Sequence, residues 1–394
     1  MARSWFDDEC RLLVQLREST DLLAEVFASG EPELRLQKRL RDAFPAELVL
    51  EALQLRDLRQ RAAAKFARAQ DMWFDRRGLE QSTAEEIARH KAKRFCTVDC
   101  VEDWCCGIGG DSLALADVSE VTAVDCRPVN CLRTEWNAAA YGVAARVHAE
   151  CEDVLERAAH DKFLHVDPDQ RTGRRRSRRI EDCVPGLEIL QSLTQQARGG
   201  AFKLSPAGNF FGKFPGCEIE LISLHGECRE ATIWFGDLAG AHELRATVLP
   251  ENETLVGDEL EYYTQVEEPG RYVYDPDPAV VRAGLLDHLC GQSEFARLDD
   301  AEEYLTSESL IRSPFAAAFE VQDIVPNNQR DIRRAVQRAE IGDVEIKCRH
   351  IPIDADRIRR KLPLNGTRRG VVIFARISGR ARSIIARRVP AERG

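Results

Sequence analysis

Residues 103–116, DWCCGIGGDSLALA, crowd two acids, two thiols and three glycines into one short stretch. Three chemistries use such residues: thiolate metal binding, a glycine turn that admits a nucleotide, or a plain strand-to-helix corner. Metal binding fits poorly. The thirteen cysteines are odd in number and scattered, no Cys-x-x-Cys pair occurs, and the adjacent Cys105 and Cys106 could not both chelate one ion comfortably. They read as free, mostly buried thiols in a reducing compartment, and no metal is expected.

The flanks point to the nucleotide. Apolar residues precede Asp103 and the helical SLALA follows Gly110, so CCGIGG falls on a strand-to-helix turn. There glycine lets backbone approach a ligand closely. The spacing is Gly-x-Gly-Gly rather than the Gly-x-Gly-x-x-Gly that seats a pyrophosphate. Asp103 and Asp111 bracket it, and acids are poor company for a pyrophosphate. An acid suits the ammonium of an amino-acid moiety, which favours S-adenosyl-L-methionine over NAD. Asp125 follows Asp103 by 22 residues and ends the apolar VTAVD, where a carboxylate can bond both ribose hydroxyls. Asp153, after ARVHAECE, is placed to accept from an adenine amino group. Alone, a strand-terminal acid is more often a solvated residue or a helix cap; together they mark the C-terminal edge of three consecutive strands.

DWCCGIGGDSLALA with VTAVDCRPVNCLRTEWNAAAYGV resembles the first motifs of class I S-adenosylmethionine-dependent methyltransferases. It is most similar to the RNA-cap guanine-N2 (trimethylguanosine synthase) branch and to bacterial methyltransferases with a THUMP-like C-terminal domain. Upstream, MWFDRRGLEQSTAEEIARHKAKRF resembles the segment that precedes the nucleotide motif in that branch. YVYDPDPAVVRAGLL, YLTSESLIRSPFAAAFEV and VEIKCRHIPIDADRIRRKLPLNGTRRGVVIFARI resemble the THUMP-like part. The resemblance spans roughly residues 71–388. It implies S-adenosyl-L-methionine as donor, with Asp103, Gly107, Gly109 and Gly110 at the methionine end, Asp125 at the ribose and Asp153 at the adenine. Cys105 and Cys126 would be small strand-end residues beside it. It also places His90 near the donor, where a surface histidine is an equal reading; Trp73 and Phe74 either line a pocket or pack the first helix.

Further on, LHVDPDQR carries Asp167, Pro168 and Asp169. Related amino-group methyltransferases have an acid or Asn, two prolines and an aromatic here. The acid and a backbone carbonyl accept from the target amine, and positioning supplies much of the rate. Asp167 and Pro168 match, whereas Asp169 replaces the second proline and Gln170 the aromatic, which removes the base-stacking ring. A turn with solvated carboxylates is the plainer alternative. Directly after comes RTGRRRSRR, six arginines in nine residues. Arg174, Arg175, Arg176, Arg178 and Arg179 could contact phosphates without reading sequence, or form a solvated loop. Lys203, near the end of the next strand, would face the same cleft.

These residues need a scaffold. Short apolar segments alternate with helical patterns from about 71 to 239, the signature of a parallel doubly wound sheet. The expected fold is α/β: a Rossmann-like methyltransferase domain (71–245) with a helical N-terminal extension (1–70) and a small α+β THUMP-like domain (260–394). ENETLVGDELEYYTQVEEPGRYVYDPDPAV reads as a boundary loop, and DVEIKCRH, DADRIRRKLPLNG and RRGVVIFARI as a small β-α-β unit.

The 394 residues are 44% hydrophobic and 31% charged, enough to bury sizeable cores. No apolar run nears the roughly 20 residues of a membrane span, and the acidic N-terminus is unlike a signal peptide, so a cytoplasmic protein is expected. The net charge of −10 hides an asymmetry: from Pro326 onward there are 18 Lys/Arg against 7 Asp/Glu, a surplus of 11, so the preceding residues carry −21. A basic C-terminal part suggests a polyanionic partner, RNA under the resemblance. Arg357, Arg359, Arg360, Arg368 and Arg369 belong to it. Two rivals stay open: a methyltransferase for a protein or small molecule, and a catalytically silent RNA-binding protein of the same fold.

Overall fold

The computed structural model describes residues 7–169, 171–172, 175–176, 179–258 and 268–390. The chain divides into two compact units, Met1–Glu218 with Ala231–Gly240, and Ile219–Glu230 with Ala241–Gly394.

The first unit opens with helices α1 (Asp8–Glu18), α2 (Thr20–Ala28), α3 (Glu33–Leu40) and α4 (Ala46–Ala62). These N-terminal helices pack onto the sheet: Cys10, Leu13, Val49 and Leu53 share one core with strand residues Val101 and Val121. Helices α5 (Arg76–Gln81) and α6 (Glu85–Ala92) follow. Then strand and helix alternate: β1 (Cys100–Trp104), α7 (Gly110–Leu115), β2 (Glu120–Asp125), α8 (Pro128–Tyr141), β3 (Val147–Cys151) and β4 (Phe163–Val166). β5 (Arg171–Thr172) and β6 (Arg175–Arg176) form a two-stranded ladder, followed by α9 (Leu187–Gln196) and β7 (Gly199–Leu204). β8 (Glu218–Leu224) belongs almost wholly to the second unit, and β9 (Glu227–Gly236) joins the first from Ala231 onward.

In the first unit the strand order is β9-β7-β4-β1-β2-β3. β1, β2, β3, β4 and β7 are parallel, in register from Asp103 opposite both Ala123 and His165. The expected parallel wind therefore holds, but β9 runs antiparallel to β7. Both faces of the central strands are covered, which is why they read as apolar runs. Local chemistry fixes the helix ends: Pro128 pre-sets the first turn of α8, and Gly142, at φ 76°, closes it.

The second unit contains β8, β10 (Leu244–Leu249) and β11 (Glu253–Gly257) in the order β11-β10-β8. It adds β12 (Tyr272–Pro276), α10 (Pro278–Arg282), α11 (Leu286–Ser293), β13 (Ala296–Arg297), β14 (Leu305–Ser307) and β15 (Ala316–Pro326). α12 (Gln329–Arg338), β16 (Ile341–Cys348), α13 (Ala355–Lys361), β17 (Arg368–Ile377) and β18 (Arg380–Arg388) complete it. The expected boundary loop is thus partly strand and helix: Glu253–Gly257 pairs with β10, Tyr272–Pro276 with β15, and Asp277 caps α10. Dense Pro, Gly and Asp had masked these short segments. The β16-α13-β17 unit is parallel as expected, but it edges a seven-stranded sheet, β13-β14-β12-β15-β18-β17-β16. One face packs Phe319, Tyr304 and Ile373, and the other packs Phe374 and Ile385 under Ile332 and Val336 of α12. No helix among the described residues is long and apolar enough to cross a membrane.

Candidate active site

A cavity of about 380 Å³ opens at the C-terminal edge of β1, β2, β3 and β4, within the first unit. Such sheets place ligands at that edge, where strand order reverses. The loop after β1 forms its floor. Cys105 takes the left-handed conformation at φ 60°, and Gly107 and Gly109 follow at φ 60° and 85°. At Gly109 a side chain would meet Thr134 Cγ2 at 3.0 Å, so glycine lets the loop close on α8. Cys105, Gly107 and Gly110 line the cavity; Gly109 turns the chain behind it.

Asp125 ends β2 and faces the cavity. Its Oδ2 accepts from the Gly107 amide at 3.0 Å, and its Oδ1 from the Arg127 amide at 2.8 Å and Asn130 Nδ2 at 3.1 Å. Burial pushes this carboxyl up, and the amides of Arg127 and Gly107 oppose that rise. Two carboxylate oxygens offer about four acceptor positions, so capacity remains for a hydroxyl. Cys126 and Asp153 line the same end with Val154. Asp153 also caps the turn that follows, accepting from the Leu155 amide at 3.0 Å.

Asp103 does not reach the wall. It is 1% exposed, its Oδ1 lies 2.8 Å from His165 Nδ1, and Ser112 Oγ donates to its Oδ2. Asp111 lines the cavity instead. Thr83 Oγ1 donates to Asp111 Oδ2 at 2.6 Å, and Lys91 Nζ lies 2.8 Å from Oδ1. Burial alone would raise the Asp111 carboxyl; the ammonium of Lys91, aided by that of Lys203, outweighs it and holds the carboxyl well below its usual range.

The Asp-Pro-Asp corner closes the opposite side. The Asp167 amide donates to Trp104 O at 3.1 Å, fixing the turn against β1. Asp167 Oδ2 sits 2.7 Å from Lys203 Nζ, which also donates to Gln81 O at 3.0 Å. Asp167, Pro168, Asp169 and Lys203 all line the cavity, with Val184. Asp169 is braced though its side chain stays partly exposed: Arg77 Nη2 donates to its Oδ2, Gln81 Nε2 reaches Oδ1 at 3.2 Å, and its backbone exchanges paired bonds with Val184 at 2.9 and 3.0 Å. Val184 is 55% exposed, an apolar side chain at the cavity, while Gln170, which stands in the sequence where an aromatic was expected, lies outside the described residues.

Of the arginine run, Arg174 and Arg178 lie outside the described residues, as do the side chains of Arg175 and Arg176. Arg179 is exposed, its Nε 3.7 Å from Glu181. Trp73 and Phe74 are core residues, and His90 is half-buried and does not line the cavity. Sequence reasoning passed over Lys91, His165 and Arg77. A signal existed for Lys91, which shares the buried face of α6 with Ile87, Ala88 and Ala92 at helical spacing. His165 stood in plain view between Leu164 and Val166 of a buried strand. Among the described residues no group of three or more His, Cys, Asp or Glu is arranged to hold a metal ion.

The fold and cavity together define a doubly wound α/β protein with a nucleotide-sized site at its strand ends. Residues 98–173 match the model of the RNA cap guanine-N2 methyltransferase family, and residues 316–388 that of the THUMP domain-like family. Over 334 residues the chain is 34% identical to proteins of two Mycobacterium tuberculosis strains, CDC 1551 and H37Rv, covering 81% of this chain and 90% of each relative. Both are described as uncharacterized S-adenosylmethionine-dependent methyltransferases. A crystal structure from Porphyromonas gingivalis W83, described as a "putative methyltransferase", shares the fold at TM-score 0.75 and 17% identity, over 98% of this chain and all of that one. The chain belongs to the S-adenosylmethionine-dependent methyltransferases. Its cofactor is S-adenosyl-L-methionine, and the cavity fits such a donor in volume and in its acid-lined ends.

Proposed function

We propose that this methyltransferase acts on RNA, transferring the methyl group to an amino nitrogen of a base. The observation that carries the reading is that Asp167, Pro168 and Asp169 line the same cavity as Gly107, Asp125 and Asp153. A group held at the corner would thus stand beside the donor site. The bound donor would supply an electrophilic methyl on its sulfonium sulfur; as the acceptor nitrogen bonded to it the sulfur–carbon bond would break, S-adenosylhomocysteine would leave, and the proton of the methylated nitrogen would pass to solvent. Asp167 accepts a hydrogen bond from the amine and aims its lone pair, so catalysis is chiefly positioning. Asp169, tied to Arg77 and Gln81, braces the corner. Val184 offers the base an aliphatic face in place of a ring.

RNA as acceptor is supported by the two matched family descriptions and by charge. In the second unit Arg368, Arg369, Arg387 and Arg388 pair with Glu340, Asp343, Glu320 and Glu345. Arg333 and Arg334 of α12 and Arg357, Arg359 and Arg360 of α13 are exposed and suit phosphates.

The test is transfer of labelled methyl from S-adenosylmethionine into fractionated cell extract, with Asp125→Ala as control. Label that RNase removes, and that the variant does not incorporate, is the expected result. Label that survives RNase but not protease would move the acceptor to protein. Donor binding without any transfer would instead favour a silent RNA-binding protein.

A further inference from the structure

Behind the cavity wall runs a chain of buried polar groups to which neither donor binding nor acceptor positioning, as described above, gives a role. Lys91 is 1% exposed, yet a lysine is seldom fully buried unless paired. Its Nζ stands 2.8 Å from Asp111 Oδ1 and 3.2 Å from His165 Nε2. An ammonium has only protons to offer, so Nε2 accepts and the ring carries its proton on Nδ1. That proton points at Asp103 Oδ1, 2.8 Å away, and Ser112 Oγ donates to the other oxygen of Asp103. The imidazole is therefore neutral, and the cluster sets two carboxylates against one ammonium. Of Lys91, Asp103, Asp111, Ser112 and His165, only Asp111 is among the described lining residues.

Apolar side chains would fill this space with far less desolvation, so the buried ammonium is best understood through the carboxylate it holds. We infer that Lys91, backed by His165 and Asp103, is a positioning residue that fixes the Asp111 carboxylate at the cavity wall to receive the ammonium of the donor's amino-acid end. Lys91 sets one oxygen and Thr83 the other, so the carboxylate cannot swing away. The excess negative charge of the cluster complements the incoming cation. The inference rests on the donor occupying this cavity, and it gives Asp111 the part that the sequence suggested for Asp103.

The probes are S-adenosylhomocysteine and 5′-methylthioadenosine, which share the thioadenosine but differ in the amino-acid end. Both are titrated calorimetrically into the full chain as wild type, Lys91→Met and Asp111→Asn. Wild type binds both. Each variant loses affinity for S-adenosylhomocysteine by about ten-fold or more, the equivalent of one charge-assisted hydrogen bond, while methylthioadenosine binds within about two-fold of wild type. A merely structural role would weaken both ligands together, and that result, or unchanged S-adenosylhomocysteine binding, would overturn the inference. Should Lys91→Met fail to fold, Asp111→Asn and Thr83→Val at the cavity surface carry the same comparison. If wild type bound neither ligand, donor binding in this cavity would itself fail, and the inference with it.

Discussion

Asp167 and Lys203 stand together at the proposed acceptor corner. Burial raises the Asp167 carboxyl, the Lys203 ammonium at 2.7 Å pulls it back, and the Asp111 carboxylate pushes it up again. On the proposed function Asp167 has to be ionised to accept from the target amine, so transfer is expected to fall on the acid side as it protonates. Removing Lys203 takes away the largest influence that lowers this carboxyl. In Lys203→Met the acid limb of kcat/KM against pH therefore moves to higher pH, and transfer at neutral pH drops. A limb that stays in place would remove Asp167 from that role. The thiols beside it are inert by the same physics: burial first, then the Asp125 carboxylate, push both Cys105 and Cys106 well up, leaving them protonated.

The elements meet at the glycine loop. Asn137 of α8 is fully buried; its Oδ1 accepts from the Trp73 amide at 2.7 Å, and its Nδ2 donates to Trp73 O at 3.2 Å and Ile108 O at 2.9 Å. One side chain thus ties the segment before α5 to the donor loop. Gly78 of α5 lets that helix lie on Ile108, whose Cγ2 would stand 2.4 Å from any added Cβ. Asn137→Ala leaves three backbone groups unpaired in the core and should cost about 2–3 kcal/mol, read as a lower urea midpoint together with weaker donor binding. The alternation from β1 to β7 was legible because buried parallel strands are short apolar runs separated by helical spacing. The acids at those strand ends were legible for the same reason. The strands between Glu218 and Gly257 went unread, and Tyr272–Pro276 was hidden by the Pro-Asp-Pro that begins at its last residue, Pro276. Lys91 and His165 were missed because their meaning is a tertiary contact between α6 and β4, 74 residues apart in the chain.

The whole molecule separates charge as it separates structure. The net charge of −10 combines an acidic body, lined at its cavity by Asp111, Asp125, Asp153 and Asp167, with a basic surplus after Pro326. An acidic site suits a donor with a cationic sulfonium and ammonium, and exposed arginines on α12 and α13 suit a polyanionic acceptor. Everything proposed for the acceptor depends on the donor lying along the ends of β1, β2 and β3. The measurement that tests this most directly is calorimetric titration of S-adenosyl-L-methionine into the full chain and into Asp125→Ala. A single saturable site in the wild type, weakened about ten-fold or more in the variant, is the expected result; equal affinity in both would place the donor elsewhere and contradict the account.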